Sequence, residues 1–124
     1  MTDPRHALGR AAEHAVATWL SAHEWEILER RLRSSAGEID LVALDSRRCL
    51  VAVEVRLRRS ARAGSPVESV SPRHLRRVRA ALAAYARTAP VRHAGTRVDL
   101  VSLTPAPDRP GTWRVTRLPA IDAW

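Results

Sequence analysis

The sequence contains no lysine; all 21 of its basic residues are arginine. So complete an absence, beside an abundance of alanine, points to the codon usage of a GC-rich genome. Arginine at any one position is therefore weaker evidence for a guanidinium requirement than it would be elsewhere. Cysteine is nearly absent too: one residue, Cys49, excludes an intrachain disulfide and a thiolate zinc cluster, and fits a small buried hydrophobe. No apolar run approaches the roughly 20 residues that a membrane-crossing helix needs. The opening residues, Met1 to His6, lead into alanines interrupted by charges rather than into a signal peptide's apolar core, so a cytoplasmic location is expected. No phosphate-binding glycine motif occurs, since Gly9 and Gly37 belong to none. The five histidines (His6, His14, His23, His74 and His93) lack metal-ligand spacing and are mostly expected at the surface.

What is present describes an ordinary folded chain. With 124 residues, 45% hydrophobic and 27% charged, it is long enough to bury a core as a single domain spanning 1–124. The formal net charge of +8 favours a densely negative partner, nucleic acid above all, over an acidic protein or a membrane.

The pattern reads helix, three strands, helix, two strands. Asp3 caps a first helix over 4–22, with Pro4 in its first turn and Leu8, Ala12, Ala15 and Trp19 as its apolar stripe. Strands follow over 24–33, 38–44 and 49–57. The last is nearly continuous in apolar residues, as a central strand covered on both faces would be. A basic loop carrying Arg58, Arg59 and Arg62 precedes a second helix, capped by Ser71, with Leu75, Val78, Leu82 and Tyr85 facing inward. Strands over 96–104 and 112–118 close the chain around a Pro-rich turn. The order implies an α/β fold, a mixed sheet with helices packed on it. Trp19 and Trp25 fit the core. Trp113 and Trp124 fit either core or interface, and the Pro-rich turn with Trp124 leaves a homodimer contact open.

The informative residues are Gly37-Glu38-Ile39-Asp40 and Glu54-Val55-Arg56. If the hairpin between them turns near Arg47, Asp40 lies opposite Glu54 and Glu38 opposite Arg56. The two-residue spacing then puts Glu38 and Asp40 on one face, and Glu54 and Arg56 on one face of the next strand. Carboxylates directly opposite repel and raise each other's pKa unless a positive group intervenes. A hard divalent cation such as Mg²⁺ is one remedy. A plain ion pair between Glu38 and Arg56, with the acids facing solvent, is the other reading of the same spacing.

A helix bearing Glu13, then Gly-Glu-Ile-Asp, then a strand ending Glu-Val-Arg resembles the PD-(D/E)XK nuclease superfamily. More closely, the chain resembles the uncharacterised bacterial YraN-like family. The likeness includes Arg73 at the start of the second helix and Arg97-Val98-Asp99, and runs from Gly9 to Trp124. It implies a restriction-endonuclease-like fold: a central mixed sheet flanked by helices. It implies that Asp40 and Glu54 ligate Mg²⁺ or Mn²⁺, with the Val55 carbonyl completing the shell and Glu13 at the edge through water. Arg56 stands where the superfamily has an active-site lysine. Arginine stays protonated and cannot act as a general base, though it can stabilise charge on a phosphate.

Three functions are open at this point. The first is a metal-dependent endonuclease hydrolysing DNA, selective for structure rather than sequence, with Glu13, Asp40, Glu54 and Arg56 as catalytic residues. The second is a nuclease-fold module that binds nucleic acid without cutting it. The third is an assembly or adaptor protein. For the first two, Arg58, Arg59, Arg62, Arg73, Arg76 and Arg77 are the candidate phosphate contacts. For any one of these arginines, a solvated surface position is the competing reading.

Overall fold

The computed structural model describes residues 3–59 and 64–123. Helix α1 spans Pro4–Ala22, and the Asp3 side chain accepts from the Arg5 N–H at 2.9 Å to cap it. Three strands follow: β1 (Glu26–Ser34), β2 (Gly37–Leu44) and β3 (Leu50–Leu57). A short 3₁₀ turn, Pro66–Ser69, leads into helix α2 (Pro72–Ala86), and β4 (Thr96–Pro105) and β5 (Trp113–Leu118) complete the sheet. The strands lie side by side in chain order. Among the described strands only β3 and β4 run parallel, and α2 is the crossover that this pairing requires. None of the described helices is long and apolar enough to cross a membrane.

Alternation along the strands divides the core into two layers. Leu41, Ala43, Val51, Val53, Val101 and Leu103 face α1, whereas Val42, Leu50, Ala52, Val98 and Leu100 face α2. Strand β3 is buried on both sides over Leu50–Val53, which explains its unbroken apolar run. Two of the expected helix stripes need adjustment. Leu8 is 47% exposed, and the buried face of α1 is Ala12, Val16, Ala17 and Leu20, with Trp19 only half-buried at its rim. Small side chains let the helix axis approach the sheet, so the alanines go inside and the indole stays at the edge. On α2, Val78, Ala81 and Leu82 are buried, while Leu75 and Tyr85 sit half-exposed beside them.

Gly37 opens β2 directly under α2. A Cβ there would lie 3.1 Å from the Arg77 carbonyl oxygen and 3.2 Å from the Arg77 Cβ. The glycine of Gly-Glu-Ile-Asp is thus a seat for the helix backbone. A methyl group would push the helix backbone back by a few tenths of an ångström and would have to hold a φ of 153°, so Gly37→Ala should cost roughly 1–3 kcal/mol by overpacking and strain. Urea unfolding monitored by tryptophan fluorescence measures this.

At the start of β4, Arg97 and Asp99 form a buried polar cluster. Asp99 is fully buried and accepts from Arg97 Nε (2.9 Å), Arg117 Nη1 (2.9 Å) and the Ala120 N–H (2.8 Å). Arg97 also donates to Asp45 at 2.7 Å, and both guanidinia stack on the Trp25 ring at about 5.5 Å. The Arg-Val-Asp motif therefore ties β4 to the β2–β3 turn and to the chain's end. Removing Asp99 takes from Arg117 the carboxylate it donates to and leaves Arg97 with Asp45 alone. Asp99→Ala should lose about 3–5 kcal/mol, the range for breaking a buried charge pair, read as a lowered midpoint of thermal unfolding.

Candidate active site

The β2–β3 hairpin has the register that its turn implies. Leu41 pairs with Val53 and Leu44 with Leu50, and Asp45 closes the turn by accepting from the Arg47 and Cys49 N–H groups. The backbone ladder ends one step short of Asp40 and Glu54. There the side chains replace it: the Val55 N–H donates to Asp40 Oδ2 at 2.9 Å, and the Asp40 N–H donates to Glu54 Oε2 at 3.3 Å. Each carboxylate satisfies the other strand's backbone, so the hairpin opens without orphaned donors.

The regular alternation assumed for β2 fails at this opening. Ile39 packs in the α2 layer, while Leu41 and Ala43 pack in the α1 layer. The phase of the strand therefore changes at Asp40, and Glu38 and Asp40 do not share a simple face. Across on β1, between the pairs Arg30–Leu41 and Leu32–Ile39, Arg31 adopts a left-handed backbone with φ of 52°. The expected pairing of Glu38 with Arg56 is also replaced. Glu38 is exposed and meets Arg33 of β1, its register partner, at 3.5 Å.

Arg56 turns instead to the acids. Its Nη1 lies 3.7 Å from Asp40 Oδ2 and donates to the Val55 carbonyl at 3.0 Å; its Nη2 lies 3.9 Å from Glu54 Oε1. Glu54 is 1% exposed, and burial, reinforced by the Asp40 charge, pushes its carboxyl up to about 7 against the pull of His74 and Arg56. Asp40 is raised as well: burial outweighs the Val55 N–H and the Arg56 and His74 charges. Glu13 comes from the α1 layer, 3.9 Å from Arg31 Nε, and is raised by burial and by the Asp40 charge. Asp40, Glu54 and Arg56 thus meet as the motif suggests, with Glu13 at the rim.

His74 is the residue that spacing rules missed. It sits in the first turn of α2, where its N–H donates to the Ser71 cap and its Nε2 hydrogen-bonds Glu54 Oε1 at 2.6 Å. The helix period does contain a signal, because His74 precedes buried Val78 by four residues and so lies on the sheet-facing side. Of the candidate phosphate contacts, Arg73, Arg76 and Arg77 are exposed along α2, and Arg59 is exposed after β3. Arg58 donates to the Gly64 carbonyl at 2.8 Å. Arg62 lies outside the described residues, as does Trp124. Arg56, Arg58 and Arg59 line an open hollow of about 550 Å³, with Ser65, Glu68 and Ser69 on its wall.

Among the described residues, no three His, Cys, Asp or Glu side chains gather into a metal cage. The donor set here is two carboxylates and one carbonyl, all hard oxygen, already turned toward a cationic guanidinium. That set suits a Mg²⁺-type ion, which keeps most of its shell as water and substrate oxygen.

The raised Glu54 carboxyl has a stability consequence. Between its ordinary value of 4.5 and about 7, the folded protein holds a proton that the unfolded chain releases. Stability should therefore fall as pH rises through that window. Glu54→Gln removes the effect. In EDTA at pH 8 the variant should be more stable than the parent by on the order of 3 kcal/mol, the worth of a rise from 4.5 to about 7. The gap should close near pH 4; thermal melts at the two pH values check it.

A family model described as uncharacterised protein family UPF0102 matches residues 12–103. The chain is 41% identical over 118 residues to a UPF0102 protein of Anaeromyxobacter dehalogenans, covering 95% of this chain and 85% of that one. It is 47% identical over 96 residues to one of Acidiphilium cryptum, covering 77% and 73%. Against one of Chlorobium phaeobacteroides it is 38% identical over 98 residues, covering 79% and 77%.

Proposed function

We propose that this chain, which belongs to the uncharacterised protein family UPF0102, is a metal-dependent endonuclease that hydrolyses phosphodiester bonds in DNA, with Asp40 and Glu54 as ligands of Mg²⁺ or Mn²⁺. One observation carries the reading: two carboxylates and the Val55 carbonyl turn toward a single positive group at the open end of a hairpin. The sheet layered between α1 and α2 is compatible with the restriction-endonuclease-like core that the motif resembles. Asp40, Glu54 and the Val55 carbonyl would hold the ion, which when bound would supply polarisation of a phosphate and a lowered pKa of its water.

The protein's own residues divide the remaining work. His74 and the Asp40 N–H each hold one oxygen of Glu54, so its carboxylate cannot rotate away. The Val55 N–H holds Asp40 in the same manner. Arg56 stabilises negative charge building on the phosphate, but stays protonated and takes no proton from water. The exposed Arg73, Arg76 and Arg77, with Arg59, supply backbone contacts that position DNA without reading its bases. Nothing in the sequence is a base-reading motif, so selectivity rests on the shape of ends or branches.

Arg56 also favours a second reading, a binding module on the same scaffold without turnover, because the position lacks a lysine able to lose its proton. The two readings separate cleanly. Mn²⁺-dependent cleavage of linear, nicked or branched DNA at low salt is expected, with Asp40→Asn and Glu54→Gln each losing about a hundredfold or more, at or beyond the upper end of the cost of outer-shell metal partners. Salt-sensitive binding that ignores EDTA, with no product from any substrate, supports the module instead.

A further inference from the structure

The oxygens that a metal ion would need are the ones Arg56 already contacts. Its guanidinium nitrogens lie 3.7 Å from Asp40 Oδ2, 3.9 Å from Glu54 Oε1 and 3.0 Å from the Val55 carbonyl oxygen. Only the last has hydrogen-bond length. The two carboxylate distances are long for charge-assisted bonds, which run at about 2.7–2.9 Å. Arg56 therefore balances the charge of the acids without being locked to them. The acids have other anchors: His74 for Glu54, and the Val55 N–H for Asp40. They keep their places when the guanidinium leaves. Space for it lies alongside, in the open hollow lined by Arg56 itself with Arg58, Arg59, Ser65, Glu68 and Ser69, where Glu68 offsets part of the charge of the other two arginines and Arg58 is engaged with the Gly64 carbonyl.

We propose, on the footing of the metal-dependent reading above, that Arg56 is a displaceable internal counter-ion. Its guanidinium holds the cation position while no ion is bound, and moves into the adjoining hollow when a divalent ion enters. Two cations cannot share three oxygens in a half-buried site, because their repulsion is little screened there. Ion affinity is then lowered by the fraction of molecules in which Arg56 occupies the position. A substrate phosphate, which a guanidinium binds in a two-pronged fashion, draws Arg56 outward. Ion entry and DNA binding are in this way coupled, each favouring the other to the same extent.

The test is Mn²⁺ affinity, read from the electron paramagnetic resonance of the free ion, with no turnover involved. Arg56→Gln should bind Mn²⁺ at least about tenfold more tightly than the parent. Millimolar methylguanidinium should weaken ion binding to Arg56→Ala. Equal or weaker binding by Arg56→Gln, or no binding by either variant, overturns the proposal. A second measurement uses the unaltered protein: the Arg56 Nε–H resonance should shift toward solvent-exposed arginines on titration with Mg²⁺. A resonance that stays put through the titration also overturns it. Tight binding by Arg56→Gln without DNA cleavage by the parent upholds the counter-ion and removes the nuclease reading. Equal affinities with cleavage abolished by Asp40→Asn do the reverse.

Discussion

Everything distinctive in this molecule follows from one buried carboxylate that cannot stand alone. Glu54 lies in the otherwise apolar central strand, where an unpaired charge is prohibitive. Its surroundings are arranged around that fact. The neighbouring strand offers a backbone N–H, the following helix offers an imidazole, and the same strand offers a guanidinium two residues on. Replacing Glu54, His74 and Arg56 at once by apolar residues would give a quieter sheet. Retaining them keeps a polar opening in a fold whose core has no other need of one.

The sheet has a second polar centre, and the contrast between the two is instructive. Asp99 is as buried as Glu54, yet its oxygens receive short contacts from two arginines and a backbone N–H. Trp25 covers the guanidinia. That cluster is closed and ties chain segments together. Around Glu54 and Asp40 the cationic contacts are long, the mouth is open and a basic hollow adjoins it. Similar residue types therefore serve stability at one end of the sheet and remain available to a ligand at the other.

Most of the scaffold was legible in the sequence because its signals are local. The Asp3 and Ser71 caps, the apolar run of β3 and the Asp45 turn each act within a few residues, and the register of Asp40 against Glu54 follows from the turn. The errors arose where tertiary contacts decide. Leu8 fits a helical stripe but is left exposed, outside the face that packs on the sheet. The hairpin register, extended outward, sets Glu38 opposite Arg56, but the ladder stops at Leu41 and Val53, and β1, on the other side, supplies Arg33 instead. His74 is not legible from ligand spacing in the sequence, which says nothing about a helix laid across a strand 20 residues earlier.

The turn between β2 and β3 has a significance out of proportion to its size. Asp45 clamps it through two side-chain hydrogen bonds, and from that clamp the pairing counts outward, residue against residue, as far as Leu41 and Val53, one step from the acids. The loop thus works as a ruler. One residue inserted between 45 and 49 would slide the strands past each other and part the two carboxylates, though no chemical group at the opening had been altered. Drift in length at this corner is forbidden in a way that drift in its side chains is not.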